Sequence, residues 1–345
     1  MIISRTPFRI SFFGGGTDYP AWYSNHGGRV ISTTIDKYCY ITCRNLPPFF
    51  DIRHRVVWSH IEGVHSIHEI LHPAVREGLK FLGFTDNAGV EIHHQGDLPA
   101  RTGMGSSSSF AVGLILALKA LRGESIDRCE LARLAIALEQ ERLGDTVGSQ
   151  DQIAAAYGGL NTIDFATDGS FSVTPLAIQP SVRSGLERSL MLFYTGLCRS
   201  ASKVAADVVA NIPDRTLELH RMRVLVDEAE QCLIQGDTDG FGALMDTTWR
   251  LKRRLSPLVS NSNIDRIYDR AKSAGAVGGK LLGAGTSGFM LFYVPPDRQE
   301  DVCDELRELL HVPFRLEDTG ATLLTGLPHE KNSRLSMPEL ASLTV

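Results

Sequence analysis

Hydrophobic and polar positions change rhythm about a third of the way along the chain. Before residue 98 the apolar positions come in short runs rich in β-branched and aromatic side chains, with turn residues between them. That pattern predicts strands over 7–13, 29–35, 38–44, 53–59 and 90–94. One helix, over 68–82 and ending before Gly83, interrupts them. From Ser106 the rhythm becomes helical. Residues 110–121 are apolar on nearly every side, which predicts a helix buried all round. Residues 127–143 predict a more amphipathic helix, with Ile126-Asp127 as staple and cap. A loop over 144–149 leads to a short helix over 150–157, stopped by Gly158-Gly159.

The second half repeats the alternation on a larger scale. Strands are predicted over 160–165, 171–176 and 189–194, then a helical block over 200–256, broken near Pro213 and Gly236. After Pro257 come one more helix, a strand–glycine loop–strand unit over 278–294, a helix over 298–310 and two last strands. Residues beyond Pro328 are polar and read as a loose tail. No repeat, low-complexity run or linker is visible. The expected division is an N-terminal domain over 1–180, a C-terminal domain over 181–330 and a tail over 331–345, a length that suits two cores.

Composition narrows the function classes. The 345 residues are 43% hydrophobic and 22% charged, with a net charge of −5, the profile of a folded protein with no basic field for nucleic acid or an anionic membrane. An anionic ligand would need a local pocket. Six cysteines, Cys39, Cys43, Cys129, Cys198, Cys232 and Cys303, form no C-x-x-C pair and read as reduced, mostly buried thiols of a cytoplasmic protein. The first residues lack a signal-peptide core, and no apolar run reaches membrane-spanning length. A homo-oligomer is compatible with all of this.

Candidate chemistry gathers in three glycine-rich segments. The middle one, Leu98 to Ser109, contains Gly103-Met104-Gly105-Ser106-Ser107-Ser108-Ser109 just before the buried helix. Glycines let backbone N–H groups converge, and a helix N-terminus adds unpaired donors and the positive end of its dipole, so the segment suits a phosphate. Taken alone it reads equally well as a capped helix after a flexible loop. It is no Walker A loop: Gly279-Lys280 is followed by Leu281, and Ala274 stands where the first glycine belongs. The last segment, Gly283-Ala284-Gly285-Thr286-Ser287-Gly288, has the letters of a dinucleotide fingerprint but leads into a strand-like run rather than a helix. The first, Pro7 to Pro20, runs a strand into Gly14-Gly15-Gly16 and then Thr17-Asp18, which suits hydroxyl recognition or simply a tight turn. His65, His68 and His72 share a helical spacing and His93-His94 follow, but no Cys or acid is arranged with them as zinc would need.

In this order the three segments resemble the GHMP kinases: a P-x-R strand with a glycine turn, a central P-x-x-x-G-L-G-S-S-S loop with Met104 for the usual Leu, and a G-A-G-x-x-G loop. The resemblance implies an α+β fold, with an N-terminal domain like ribosomal protein S5 domain 2 and a ferredoxin-like C-terminal domain. It also implies an ATP- and Mg²⁺-dependent kinase acting on a small-molecule phosphosugar. Gly103 to Ser109 would cradle the ATP phosphates, Ser107 and Glu141 would hold Mg²⁺, and Asp151 and Arg9 would be catalytic. Gly14, Gly15, Gly16, Thr17, Asp18, Gly283, Gly285 and Arg199 would contact substrate. Gly14 to Asp18 replaces the G-E-H-T-D of galactokinases, and with Phe12-Phe13 before it and Tyr19-Pro20 after it resembles the branch that acts on D-glycero-D-manno-heptose 7-phosphate. A phosphorylated substrate calls for a cation, for which Arg101, Arg199, Lys203, Lys252 and Arg253 are candidates. The alternatives are another sugar kinase of fucose or galactose type, a non-catalytic regulator on the same fold, and a dinucleotide oxidoreductase resting on the third loop alone.

Overall fold

A computed structural model describes residues 1–100, 102–196 and 201–325; the tail expected over 331–345 lies outside them. The short apolar runs become one mixed sheet. β1 (Ile2–Phe13) and β2 (Gly28–Asn45) form its long antiparallel centre. β3 (His54–Val57), β4 (Ile61–Val64) and β5 (Val90–Gly96) extend it, with β3 parallel to β5. β6 (Asn161–Phe165) pairs with the start of β2, and β7 (Phe171–Pro175) with β6.

β2 merges two expected strands. Opposite Pro7 the register steps from Pro7↔Tyr38 to Phe8↔Ile35, so Asp36 and Lys37 bulge instead of turning the chain. Pro7 has no N–H to give to the ladder, which makes this the natural place for the irregularity. The helices of this part are α1 (Pro20–His26), α2 (Pro73–Phe81), α3 (Ser106–Leu121), α4 (Arg128–Ala137) and α5 (Gln150–Tyr157). α3 packs along β1 and β2 and is buried almost throughout its length, as its unbroken apolar composition predicts. The helix expected over 68–82 is shorter. A one-turn 3₁₀ segment, Ile67–Glu69, carries a Ser66/Glu69 capping box, and Pro73 starts α2 afresh.

The second part opens with a helix the sequence reading left out, α6 (Pro180–Ser189). It is a polar helix of 10 residues that buries little more than Leu186 and Ser189. Then come β8 (Leu190–Tyr194), α7 (Ala201–Ala210), α8 (Thr216–Gln235), α9 (Thr238–Leu255), α10 (Ser262–Ala274), β9 (Gly278–Leu281), β10 (Phe289–Tyr293), α11 (Gln299–Glu305) and β11 (Leu310–His311). The helical block breaks where Pro213 and Gly236 predict. The four strands lie antiparallel in the order β11-β8-β10-β9, the ferredoxin-like arrangement, with helices filling the first and last connections.

The chain does not end in this second body. β12 (Leu316–Glu317) pairs with β2 and β13 (Thr322–Thr325) with β1, so a boundary that gives 181–330 to one domain assigns the last strands to the wrong sheet. Short, half-exposed strands say nothing in sequence about which sheet they join. The two bodies are also stitched directly. Phe12 and Phe13 meet Phe241 of α9 edge-on at 5.3 and 4.9 Å, and Arg29 of β2 reaches Asp227 at 2.7 Å and Glu230 at 2.8 Å on α8. Among the described residues no helix is long and apolar enough to cross a membrane.

Candidate active site

The middle glycine loop leads into α3 through Gly105, which sits in the left-handed region at φ 74° and ψ 27°. No side chain caps the helix there, so the serines do not act as caps. Their hydroxyls have other tasks. Ser109 donates to Pro7 O at 2.9 Å, Ser108 donates to Glu139 Oε2 at 2.7 Å, and both are buried. Met104 is fully buried as well, and its carbonyl accepts from Arg9 N–H at 3.1 Å. What Met104 and Ser108 can offer an ATP phosphate is therefore backbone rather than side chain, and Ser109 offers neither, since its N–H donates to Gly105 O at 2.8 Å. Ser107 is exposed at the start of the helix, and Ser106 is half-buried beside it.

The carboxylate beside these serines is Glu139, not Glu141. The expected helix over 127–143 changes at Leu138–Arg142 into a single π turn, with Leu143 N–H donating to Leu138 O at 3.0 Å. Residues two apart on a helix face different ways, so only one of Glu139 and Glu141 can point inward. Glu141 is exposed. Glu139 is buried and accepts from Ser108 and, at 2.6 Å, from Gln152 Nε2. Its other oxygen, Oε1, is buried with no hydrogen-bond partner among the described residues. Burial pushes this carboxyl up to about 7, against the pull of Ser108, Ser107 and Gln152. A carboxylate oxygen left over in a buried site, next to an exposed hydroxyl, is the hard-oxygen donor set that Mg²⁺ takes. The residues present therefore fit that ion.

Asp151 stands in the first turn of α5, and β1 brings Arg9 to it. Arg9 Nε donates to Asp151 Oδ1 at 2.6 Å and Nη2 to Oδ2 at 2.5 Å, a two-point clamp, while Nη1 donates to Gly103 O at 2.7 Å. One guanidinium thus ties the phosphate-type loop to the aspartate. Its side chain is 6% exposed and that of Asp151 22%, so the carboxylate keeps an open edge. Asp18 is buried nearby and accepts from Gly16 N–H at 2.9 Å. Burial and then the charge of Asp151 raise its pKa, opposed by the Gly16 and Gln150 hydrogen bonds.

The glycine turn around Asp18 divides into parts with different tasks. A side chain at Gly14 would strike Arg29 O at 2.0 Å, so that glycine permits close packing on β2. The Thr17 hydroxyl donates to Gly14 O at 2.8 Å and also bonds the Arg29 backbone, and Thr17 is fully buried, which removes it from substrate contact. The Gly16 N–H already serves Asp18, and a side chain there would face Leu219 and Leu255. At Gly15 alone would a side chain fit at ordinary contact distance, 3.7 Å from Ser11 Oγ and 3.8 Å from Gln150 Nε2.

The third loop likewise serves packing. A side chain at Gly283 would come within 2.3 Å of Gly103 Cα, and one at Gly285 within 2.6 Å of Val259 O. Gly283 thus seats the C-terminal body on the middle loop. The loop enters strand β10, which removes the dinucleotide reading. Among the cation candidates, Arg101 and Arg199 lie outside the described residues, Lys203 is exposed, and Arg253 pairs with Asp265 at 3.1 Å. Lys252 does come within electrostatic reach of Arg9, Asp18 and Asp151, and Lys280 lies buried next to it. Sequence reasoning considered Lys280 only as part of a failed Walker A match; a lysine inside a short apolar strand was the available signal. Of the histidines, His72 stacks on Phe110 and His94 meets the same ring edge-on. Cys39 and Cys43 are buried, whereas Cys129, Cys232 and Cys303 are only half-buried and Cys198 is outside the described residues.

Known proteins resemble this chain along most of its length. The model of the GHMP kinases N-terminal domain matches residues 69–159, and that of the GHMP kinases C-terminal domain matches 229–312. The chain is 30% identical over 322 residues to the D-glycero-alpha-D-manno-heptose 7-phosphate kinase of Campylobacter jejuni, covering 89% of this chain and 93% of that protein. It is 28% identical over 335 residues to the bifunctional fucokinase/GDP-fucose pyrophosphorylase of Arabidopsis thaliana, covering 89% of this chain but 31% of that longer protein. In fold it is similar to the crystal structure of a D-glycero-D-manno-heptose 1-phosphate kinase from Bacteriodes thetaiotaomicron, with a TM-score of 0.77, 24% identity and coverage of 95% of this chain and 100% of that one. Two family domains in the expected order, a near-full-length relative and the shared fold make this chain a member of the GHMP kinase family, an ATP-dependent sugar kinase.

Proposed function

We propose that this kinase transfers the γ-phosphoryl group of Mg·ATP to the C1 hydroxyl of D-glycero-α-D-manno-heptose 7-phosphate, giving the 1,7-bisphosphate. The observation that carries the reading is the similarity, over nearly its whole length, to the Campylobacter jejuni heptose 7-phosphate kinase. The surroundings of Gly15 support it. Ser11 Oγ and the Gln150 side-chain amide border that position, and Ser11 Oγ and the Oε1 of that amide are buried with no hydrogen-bond partner among the described residues. Buried polar atoms are nearly always paired, so two orphans at one position suit the hydroxyls of a sugar.

In this reading Asp151 takes the proton of the acceptor hydroxyl, and Arg9 keeps it ionised and near the phosphates. Asp18 holds substrate hydroxyls. The N–H groups around Gly103 to Ser107 receive the ATP phosphates. Ser107 and Glu139 would hold Mg²⁺, whose charge offsets that of the phosphates. The product would feed nucleotide-activated heptose for capsule or lipopolysaccharide, made in the cytoplasm.

A fucose- or galactose-type acceptor is the second reading, favoured by the similarity to the Arabidopsis fucokinase. The deciding measurement compares kcat/KM for heptose 7-phosphate, free heptose, fucose and galactose at fixed Mg·ATP. Heptose 7-phosphate is expected to lead. Free heptose should trail by roughly 10- to 150-fold, since a charge-assisted contact to the lost phosphate contributes about 1.5–3 kcal/mol. Equal values for the two heptoses, or a preference for fucose or galactose, would discard the heptose 7-phosphate reading.

A further inference from the structure

The seam between the two bodies holds more positive than negative charge. Among the described residues, Arg9 from β1, Lys252 from α9 and Lys280 from β9 gather around Asp18 and Asp151, with Tyr19 of the glycine turn beside the two carboxylates and the Glu139 carboxyl facing Asp151 from the π turn. Burial pushes Asp18 toward its neutral form and Lys280 likewise, which leaves the Arg9 and Lys252 cations facing the Asp151 carboxylate. A buried surplus of cations is costly unless an anion completes it.

The two lysines differ in what they have left to give. Lys280 is buried, and its ammonium donates to Ser11 O at 2.8 Å and Phe12 O at 2.9 Å, strapping β9 to the end of β1. Lys252 is only half-buried. Its ammonium donates to Leu281 O at 3.1 Å and to Gly283 O, which leaves one of three N–H groups for another acceptor. Gly283 is the residue packed against Gly103, and Gly103 O is the carbonyl that Arg9 grips. Lys252 and Arg9 therefore converge on the junction between the phosphate-type loop and Asp151.

The geometry points to Lys252 as a second cation at the point of phosphoryl transfer, supplied by the C-terminal body and contacting the γ-phosphoryl group as it moves. This rests on Asp151 and the middle loop acting as proposed above, but not on which sugar is the acceptor. In the step, the acceptor hydroxyl oxygen forms a bond to the γ-phosphorus. The bond from that phosphorus to the bridging oxygen of ADP breaks, its electron pair leaving with ADP, and the hydroxyl proton passes to Asp151. Charge on the oxygens of the moving group is met by Arg9 and Lys252, before any solvent has to reorganise.

Burial, followed by the charge of Arg9, lowers the Lys252 ammonium to about 8, partly offset by Asp18 and Asp151. The charged form is the one the proposal needs, so activity should fall as pH rises through that region.

The test uses the full chain with Mg·ATP and whichever acceptor of the sugar panel it turns over. Lys252→Gln should lower kcat by roughly 10²–10³, the loss typical of one transition-state donor, with both KM values nearly unchanged. Lys252→Arg keeps the charge; it should recover part of kcat and lose the alkaline limb near pH 8. Thermal unfolding of both variants checks that the strap to Leu281 and Gly283 survives. Unchanged kcat in Lys252→Gln, a loss confined to KM, or an alkaline limb that persists in Lys252→Arg would overturn the assignment. Turnover of galactose or fucose in place of heptose 7-phosphate would overturn only the choice of acceptor.

Discussion

Glu139 and Glu141 show what a two-residue shift decides. Both belong to one Glu-Gln-Glu stretch, yet one carboxylate is buried against Ser108 and Gln152 and the other faces solvent. Glu139→Gln should therefore raise the Mg²⁺ concentration needed for half-maximal activity several-fold, whereas Glu141→Gln should leave it unchanged. A shift in the second variant and none in the first would return the assignment to Glu141. Ser107→Ala should act on the same Mg²⁺ curve without lowering the unfolding temperature appreciably, because Ser107 does not cap α3. Asp151 is a simpler case. Asp151→Asn should lower kcat by roughly 10²–10⁴ while ATP still binds, which steady-state kinetics together with calorimetric titration of ATP will check. The loose character of phosphoryl transfer favours the lower end of that range.

At the scale of elements, two of the histidines that lacked the partners of a zinc site, His72 and His94, prove to be packing groups, while His65 and His68 are exposed. His72 begins α2, where its ring stacks on Phe110 and accepts from Val75 N–H. Burial, then the nearby His94, holds its pKa down to about 4. In the unfolded chain His72 takes a proton near pH 6.5, but in the folded protein it does not until the pH is far lower. Stability from this group is therefore complete above pH 6.5 and is lost as the pH falls toward 4. The loss should not exceed about 1 kcal/mol per pH unit for a half-buried ring. Urea unfolding between pH 7 and 4.5 should show a shallower decline in His72→Phe than in the wild type; parallel declines would assign the acid sensitivity elsewhere. The π turn belongs to this scale too. An i→i+5 turn inside a helix is rare and tends to mark a functional site. Here it coincides with the place where Glu139 turns to the serine loop.

The whole molecule is held at its working geometry by backbone contacts between distant loops. Gly283 sits at φ 71° with Gly103 Cα where its side chain would be. Gly283→Ala should destabilise the protein by roughly 1–3 kcal/mol, through overpacking and an unfavourable φ. It should also lower kcat more than that loss of stability alone explains, because it pries the C-terminal body off the phosphate-type loop. Denaturant unfolding and kinetics on the same preparation will separate the two effects, and full activity with normal stability would show that the contact is dispensable. Much of this organisation was written in the sequence alone. The alternation of short apolar runs set the strands, the all-apolar stretch set buried α3, and three ordered glycine segments with Arg9 and Asp151 pointed to the family and to the pair that the fold brings together. Those signals are local: periodicity, turn residues and motif spacing need no partner to be read. What only the tertiary structure decided depends on contacts between residues far apart. The π turn chose Glu139 over Glu141, the close approach of Arg29 turned Thr17 inward, the first sheet claimed β12 and β13, and the meeting of α9 and β9 with β1 carried Lys252 and Lys280 to Arg9 and Asp18. A carboxylate or an ammonium has no assigned direction along a chain, and it acquires one only when a second, distant backbone arrives to face it.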